Sequence, residues 1–108
     1  MNLIFGWDMK VLRVKNINDC FESTNVRDAI VDSPINKKFI DYLGKMGKLI
    51  YENSLEKPYF KVIVRAKYTI KGSQGNKTIR MMFPENAGDE YVDEIVDYIN
   101  RFKKIDNW

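Results

Sequence analysis

The sequence contains no histidine. That removes the side chain most used as a general base or proton shuttle near neutral pH, and with it the commonest metal ligand. There is one cysteine, Cys20, so no disulfide forms within the chain. A zinc or iron–sulfur site built by one chain from such a donor set is not expected either. A lone thiol points to a reducing compartment, the cytoplasm. No run approaches the roughly 18 apolar residues of a membrane-spanning helix, and no partner membrane is expected. Low-complexity tracts, internal repeats and linkers are absent. Residues 1–8 read as an N-terminal extension: Met1-Asn2-Leu3-Ile4-Phe5-Gly6-Trp7 is apolar but lacks the basic start and small-residue cleavage site of a signal peptide.

What remains is an ordinary globular composition. The 108 residues are 44% hydrophobic and 31% charged, with a net charge of +3. That length fits one domain, and a chain of this size buries roughly 65% of its unfolded surface without needing a metal or disulfide. The mild positive charge permits nucleic-acid binding without requiring it.

The clearest periodicity runs from Tyr59 to Lys71. Phe60, Val62, Val64, Ala66, Tyr68 and Ile70 alternate with Lys61, Arg65, Lys67, Thr69 and Lys71, and only Ile63 breaks the pattern. Period two over this length predicts one half-buried strand. Gly72-Ser73-Gln74-Gly75-Asn76 predicts a turn, and Lys77 to Phe83 the returning strand, with Ile79, Met81 and Phe83 inward and Thr78 and Arg80 outward. After Pro84, Asn86-Ala87-Gly88-Asp89 supplies cap chemistry. Val92, Ile95, Val96, Ile99 and Phe102 then mark an amphipathic helix over 89–104. Asp97 and Arg101 stand one turn apart on it and suit an ion pair.

A second helix is predicted to start at Ser33-Pro34, burying Ile35, Phe39 and Leu43 with Met46 at its end, and to stop at Gly44 and Gly47. Lys48 to Asn53 fits either a short strand leading into the hairpin or a continuation of the helix, and the strand is the favoured reading. Met9 to Lys15 reads as another strand, with Leu12 and Val14 inward and Arg13 and Lys15 outward. Residues 16–33 hold Cys20, Phe21, Val26, Ile30 and Val31 without a steady period. The expected architecture is α+β, in the order β-α-β-β-β-α. A mostly antiparallel sheet of three to four strands carries two helices on one face.

The chemistry-bearing patterns are few. Asp89, Glu90, Asp93 and Glu94 resemble a carboxylate cluster, but acidic residues in a helix's first turns complement its dipole and need no metal. Cys20 as a nucleophile lacks a histidine to activate it. The turn 72–77 has the glycines of a phosphate loop but joins two strands, without P-loop spacing. No catalytic, cofactor-binding or metal-binding residue is therefore assigned.

Leu43-Gly44-Lys45-Met46-Gly47-Lys48-Leu49-Ile50 is a GxxG segment with lysines between apolar flanks, and it resembles the backbone clamp of KH RNA-binding domains. That resemblance implies a short helix after the GxxG. The other reading is a glycine-punctuated helix end.

The remaining candidate is a basic face. Lys61, Arg65, Lys67, Lys71, Lys77 and Arg80 fall on outward strand positions, joined by Arg13 and Lys15 if their strand belongs to the sheet. Such cations bind phosphates by releasing counterions, whereas lysines on an exposed sheet also serve simply to solvate it. Tyr59 is the one outward aromatic available for base stacking. The expected function is a small non-catalytic binding module. It acts through a protein partner or self-association, using the opposite signs of the sheet face and the last helix's acidic start. The alternative is nucleic-acid binding through the basic face.

Overall fold

A computed structural model describes residues 9–17, 25–54, 56–85 and 87–102. Among these residues six strands form one antiparallel sheet: β1 (Val11–Ile17), β2 (Val26–Val31), β3 (Lys48–Glu52), β4 (Tyr59–Val64), β5 (Tyr68–Ser73) and β6 (Thr78–Met82). Helix α1 (Lys37–Gly44) lies between β2 and β3 in the chain, and α2 (Glu90–Asn100) follows β6. The spatial order of strands is β1-β2-β6-β5-β4-β3. The class is α+β, as expected, but the sheet has six strands and not three or four, and the chain order is β-β-α-β-β-β-β-α.

Two strands escaped the expected order for identifiable reasons. The stretch from Tyr59 to Lys71 is a hairpin, not one strand: the chain turns at 65–67, where the Lys67 amide donates to the Val64 carbonyl at 3.0 Å. Val64 pairs with Tyr68 across it. A three-residue loop between paired residues preserves parity, so even-numbered positions stay inward on both arms and the alternation runs through the turn unbroken. Ala66 pays for this with a φ of +66°, which glycine adopts more readily. Strand β2, inside the unreadable segment, has Ala29 and Val31 on the helical face with Arg27, and Val26 and Ile30 on the other face with Asp28, Val26 being buried there. Each face mixes apolar and charged residues, so no period shows.

Strand β1 carries a bulge. Val11 opposes Val31 and Arg13 opposes Ile30, leaving Leu12 as the extra residue. The bulge shifts the phase, so Val11 and Val14 pack on the core while Leu12, expected inward, is 64% exposed.

Helix α1 starts later than expected. Its N-cap is Asn36, whose side chain accepts from the Phe39 amide at 2.8 Å, so Ser33-Pro34 precedes the helix. It buries Phe39, Ile40 and Leu43, and the preceding Ile35 is buried too. Helix α2 buries Val92, Ile95 and Ile99, followed by Phe102, and carries the Asp97–Arg101 ion pair at 2.9 Å. Asp89 occupies its N-cap position without a side-chain capping bond, because that carboxylate takes Arg27 instead.

Both helices lie on one face of the sheet, where their apolar stripes join Ala29, Val31, Phe60, Val62, Ile70, Ile79 and Met81 in one core. The helices are clasped to each other by two tyrosines. The Tyr42 hydroxyl donates to the Tyr98 carbonyl at 2.6 Å, the Tyr98 hydroxyl donates to the Tyr42 carbonyl at 2.7 Å, and the rings stack at 4.3 Å. Burial raises both phenol pKa values. No helix among the described residues is long and apolar enough to cross a membrane.

A candidate anion-binding face

Among the described residues no helix covers the other face of the sheet, although Val26 at one end of it is buried, and the strand register fixes what stands there. One row runs straight across all six strands: Lys15 opposes Asp28, Asp28 opposes Arg80, Arg80 opposes Lys71, Lys71 opposes Lys61 and Lys61 opposes Ile50. A second row at one end of the strands pairs Ile17 with Val26, Val26 with Met82, Met82 with Thr69, Thr69 with Ile63 and Ile63 with Lys48. Toward the other end Arg13 opposes Ile30, Ile30 opposes Thr78, Ser73 opposes Tyr59 and Tyr59 opposes Glu52. The face therefore grades from apolar, through basic, to hydroxyl-rich.

The central row sets three cations on adjacent strands, Lys61, Lys71 and Arg80. Side chains directly opposite each other start only about 5 Å apart at Cβ, and like charges so placed are destabilising. Arg80 is partly compensated: its Nε reaches Asp28 Oδ1 at 2.8 Å and a terminal nitrogen reaches Oδ2 at 3.0 Å. This two-pronged geometry is the strong form of an arginine–carboxylate pair. The Asp28 side chain is only 13% exposed against 39% for Arg80, so the carboxylate lies against the sheet and holds the guanidinium above it. Among the described residues neither Lys61 nor Lys71 has an ion-pair partner.

Beside this row lies a shallow hollow of about 320 Å³, bordered by Asp28, Tyr59, Lys71, Gly72, Ser73, Asn76, Thr78 and Arg80. Its rim offers two cations, three hydroxyls, an amide and the Asp28 carboxylate, which Arg80 neutralises, and Tyr59 stands at its edge as the outward aromatic. Such a lining suits an anionic group with hydrogen-bonding oxygens.

Of the six cations singled out from sequence, the structure gathers Lys61, Lys71 and Arg80 on the open face. The other three go elsewhere. Arg65 is exposed in the β4–β5 turn, and Lys77 is exposed in the turn before β6. Lys67 turns toward the helical side, its Nζ 3.2 Å from a Glu94 carboxylate oxygen that also accepts from the Tyr68 hydroxyl. The Tyr68 bond lowers the Glu94 pKa, with Lys67 helping, while burial and that same bond raise the Tyr68 pKa. Lys15 and Arg13 do join the face. Asp28 was missed, because nothing in the sequence marked β2 as a strand beside β6.

The other patterns resolve into packing. The turn 74–77 spends its amides on the protein: Gln74 donates to the Pro58 carbonyl, Gly75 to Ile35 and Asn76 to Ser73. The GxxG segment leads into β3 and not into the short helix that a KH-like clamp implies. Its Gly47 is required by close approach, since a Cβ there would lie 2.3 Å from the Ile63 carbonyl oxygen. Among the described residues no group of three or more acidic, cysteine or histidine side chains is placed to hold a metal ion. Cys20 and the basic end 103–104 of the last predicted helix lie outside the described residues.

Comparison with known proteins gives no match: no family model, no curated protein and no solved structure is similar to this chain.

Proposed function

We propose that the protein is a small non-catalytic binding module whose open sheet face takes nucleic acid by its phosphate backbone. The observation that carries the reading is the Lys61–Lys71–Arg80 row. If the cations served only to keep an exposed sheet wet, alternating signs would do so without the repulsion between direct neighbours. A row of one sign across three adjacent strands instead concentrates counterions that a polyanion displaces on binding. The hydroxyl-lined hollow with Tyr59 at its rim gives one position where a base or sugar can rest against the sheet.

Sequence readout is weak in this mode. One outward aromatic does not provide the stacking platform of dedicated single-strand binders, and phosphate contacts carry no base information. The acidic start of α2 is less suited to bind the face of a second copy, because Asp89 is engaged by Arg27 and Glu94 by Lys67 and Tyr68. A reducing compartment, the cytoplasm, suits a chain with one cysteine.

The test is fluorescence anisotropy of a labelled single-stranded oligonucleotide across a salt series. Three to four phosphate contacts give a slope of log affinity against log salt near about −2 to −3. Absence of binding at low salt overturns the reading. So does binding that polyglutamate competes away as readily as unlabelled oligonucleotide, which would assign the face to an acidic protein partner.

A further inference from the structure

The sheet has two edges, and among the described residues only β1 is guarded. At β1 the bulge at Leu12 interrupts the ladder, the Val11 amide is taken by the Asn100 side chain at 2.9 Å, and the Met9 amide donates to the Phe102 carbonyl. Its charged residues, Arg13 and Lys15, have one sign, so antiparallel self-pairing about Val14 would set cation against cation. These are the devices by which proteins keep an edge from recruiting another strand.

Strand β3 has none of them. It pairs with β4 through five consecutive residues without a bulge, it contains no proline, and among the described residues nothing pairs with its far side. Ile50 at its centre is 40% exposed, and its neighbour Ile63 on β4 is 36% exposed. The sequence Lys48-Leu49-Ile50-Tyr51-Glu52 is also complementary to itself in reverse.

We infer that two copies of the chain associate through β3, pairing antiparallel about a two-fold axis at Ile50. That register sets Lys48 opposite the second copy's Glu52 twice over, Leu49 opposite Tyr51 on the helical side, and Ile50 opposite its own counterpart. Opposite charges and apolar pairs directly across a ladder are the favourable combinations. The two-fold runs perpendicular to the sheet, so both open faces look the same way. The central rows become continuous, with Lys61 and Lys71 of each copy flanking the Ile50 pair. An antiparallel pairing of identical patches is an isologous interface, which closes at two copies. A five-residue ladder buries little area, which places the association in the micromolar range or weaker. The inference does not rest on the nucleic-acid reading.

The test is sedimentation velocity of the full chain, without any nucleic acid, from about 10 µM to about 1 mM. A monomer-to-dimer shift is expected. Lys48→Glu sets carboxylate against carboxylate in this register and weakens the dimer by on the order of tenfold. The double change Lys48→Glu with Glu52→Lys restores the complement and returns the constant to within about threefold of the parent. Both positions are exposed, and circular dichroism checks that the fold is kept. A monomer at every concentration overturns the inference, as does a dimer whose constant ignores the single change or is not restored by the swap. Oligonucleotide binding that persists in a strictly monomeric protein separates this failure from failure of the open-face reading.

Discussion

The two faces of the sheet are built by alternate residues of the same strands, yet they treat charge in opposite ways. On the covered face the buried residues are apolar apart from Tyr68, and the phenols there find partners: Tyr68 with Glu94, and Tyr42 and Tyr98 with each other's backbone. On the open face Lys61, Lys71 and Arg80 stand side by side. Water screens that repulsion to a cost of fractions of a kcal/mol, a cost the covered face could not bear. The difference teaches where stability comes from and where it is spent.

Breaking the covered face has the largest expected effect. Ile79→Ala removes a fully buried side chain between the helices and the sheet, and about 2–5 kcal/mol of stability should go with it in urea denaturation. Substituting Thr78, its neighbour on the open side, by Ala should cost well under about 1 kcal/mol.

The phenols of the covered face give the next effect. Tyr42→Phe removes one half of the reciprocal clasp and leaves the Tyr98 carbonyl with the Arg101 amide but without the phenol, at about 1 kcal/mol. Their titration sharpens the point. Tyr42, Tyr68 and Tyr98 all have pKa values raised above the ordinary 10.0. Above that pH the unfolded chain loses these protons while the folded one keeps them, so stability falls as pH rises. Glu94 works on the acid side: its pKa is lowered, so its contribution is present above 4.5 and fades as pH falls through and below that value. Thermal melts across pH should therefore decline at both ends, and Tyr68→Phe should flatten both declines.

How much of this was legible follows from the same contrast. The covered stripes of both helices and the β5–β6 hairpin could be read because apolar residues recur there at an undisturbed period, whereas β3 is so short that its sequence fitted strand and helix alike. The β4–β5 turn was hidden because Arg65-Ala66-Lys67 is an odd-length loop that leaves alternation intact and contains neither glycine nor proline. Strand β2 was hidden because Arg27 shares the helical face, reaching Asp89 from the sheet's end, while Val26 and Ile30 share the opposite face with Asp28. Parity marked six cations as neighbours, but only register could separate Lys61, Lys71 and Arg80 from Lys67, which the unseen turn carries to α2. Asp28, the anchor of Arg80, depends on pairing between β2 and β6, 52 residues apart in sequence, and no local pattern reports that.

The turn itself provides a smaller effect. Ala66→Gly relieves the positive φ but loosens the unfolded chain, for a net gain of under about 1 kcal/mol. A destabilisation would mean that the loop is held by more than its turn hydrogen bond.

Lys71 is where the two faces' economies meet most directly. Lys71→Glu places a carboxylate between Lys61 and Arg80, and both folding stability and oligonucleotide affinity should be measured on that one variant. The expected result is a protein at least as stable as the parent, by up to about 0.5 kcal/mol, whose low-salt affinity falls by on the order of tenfold. A variant that binds as tightly as the parent would contradict the assignment of the row to an anionic partner.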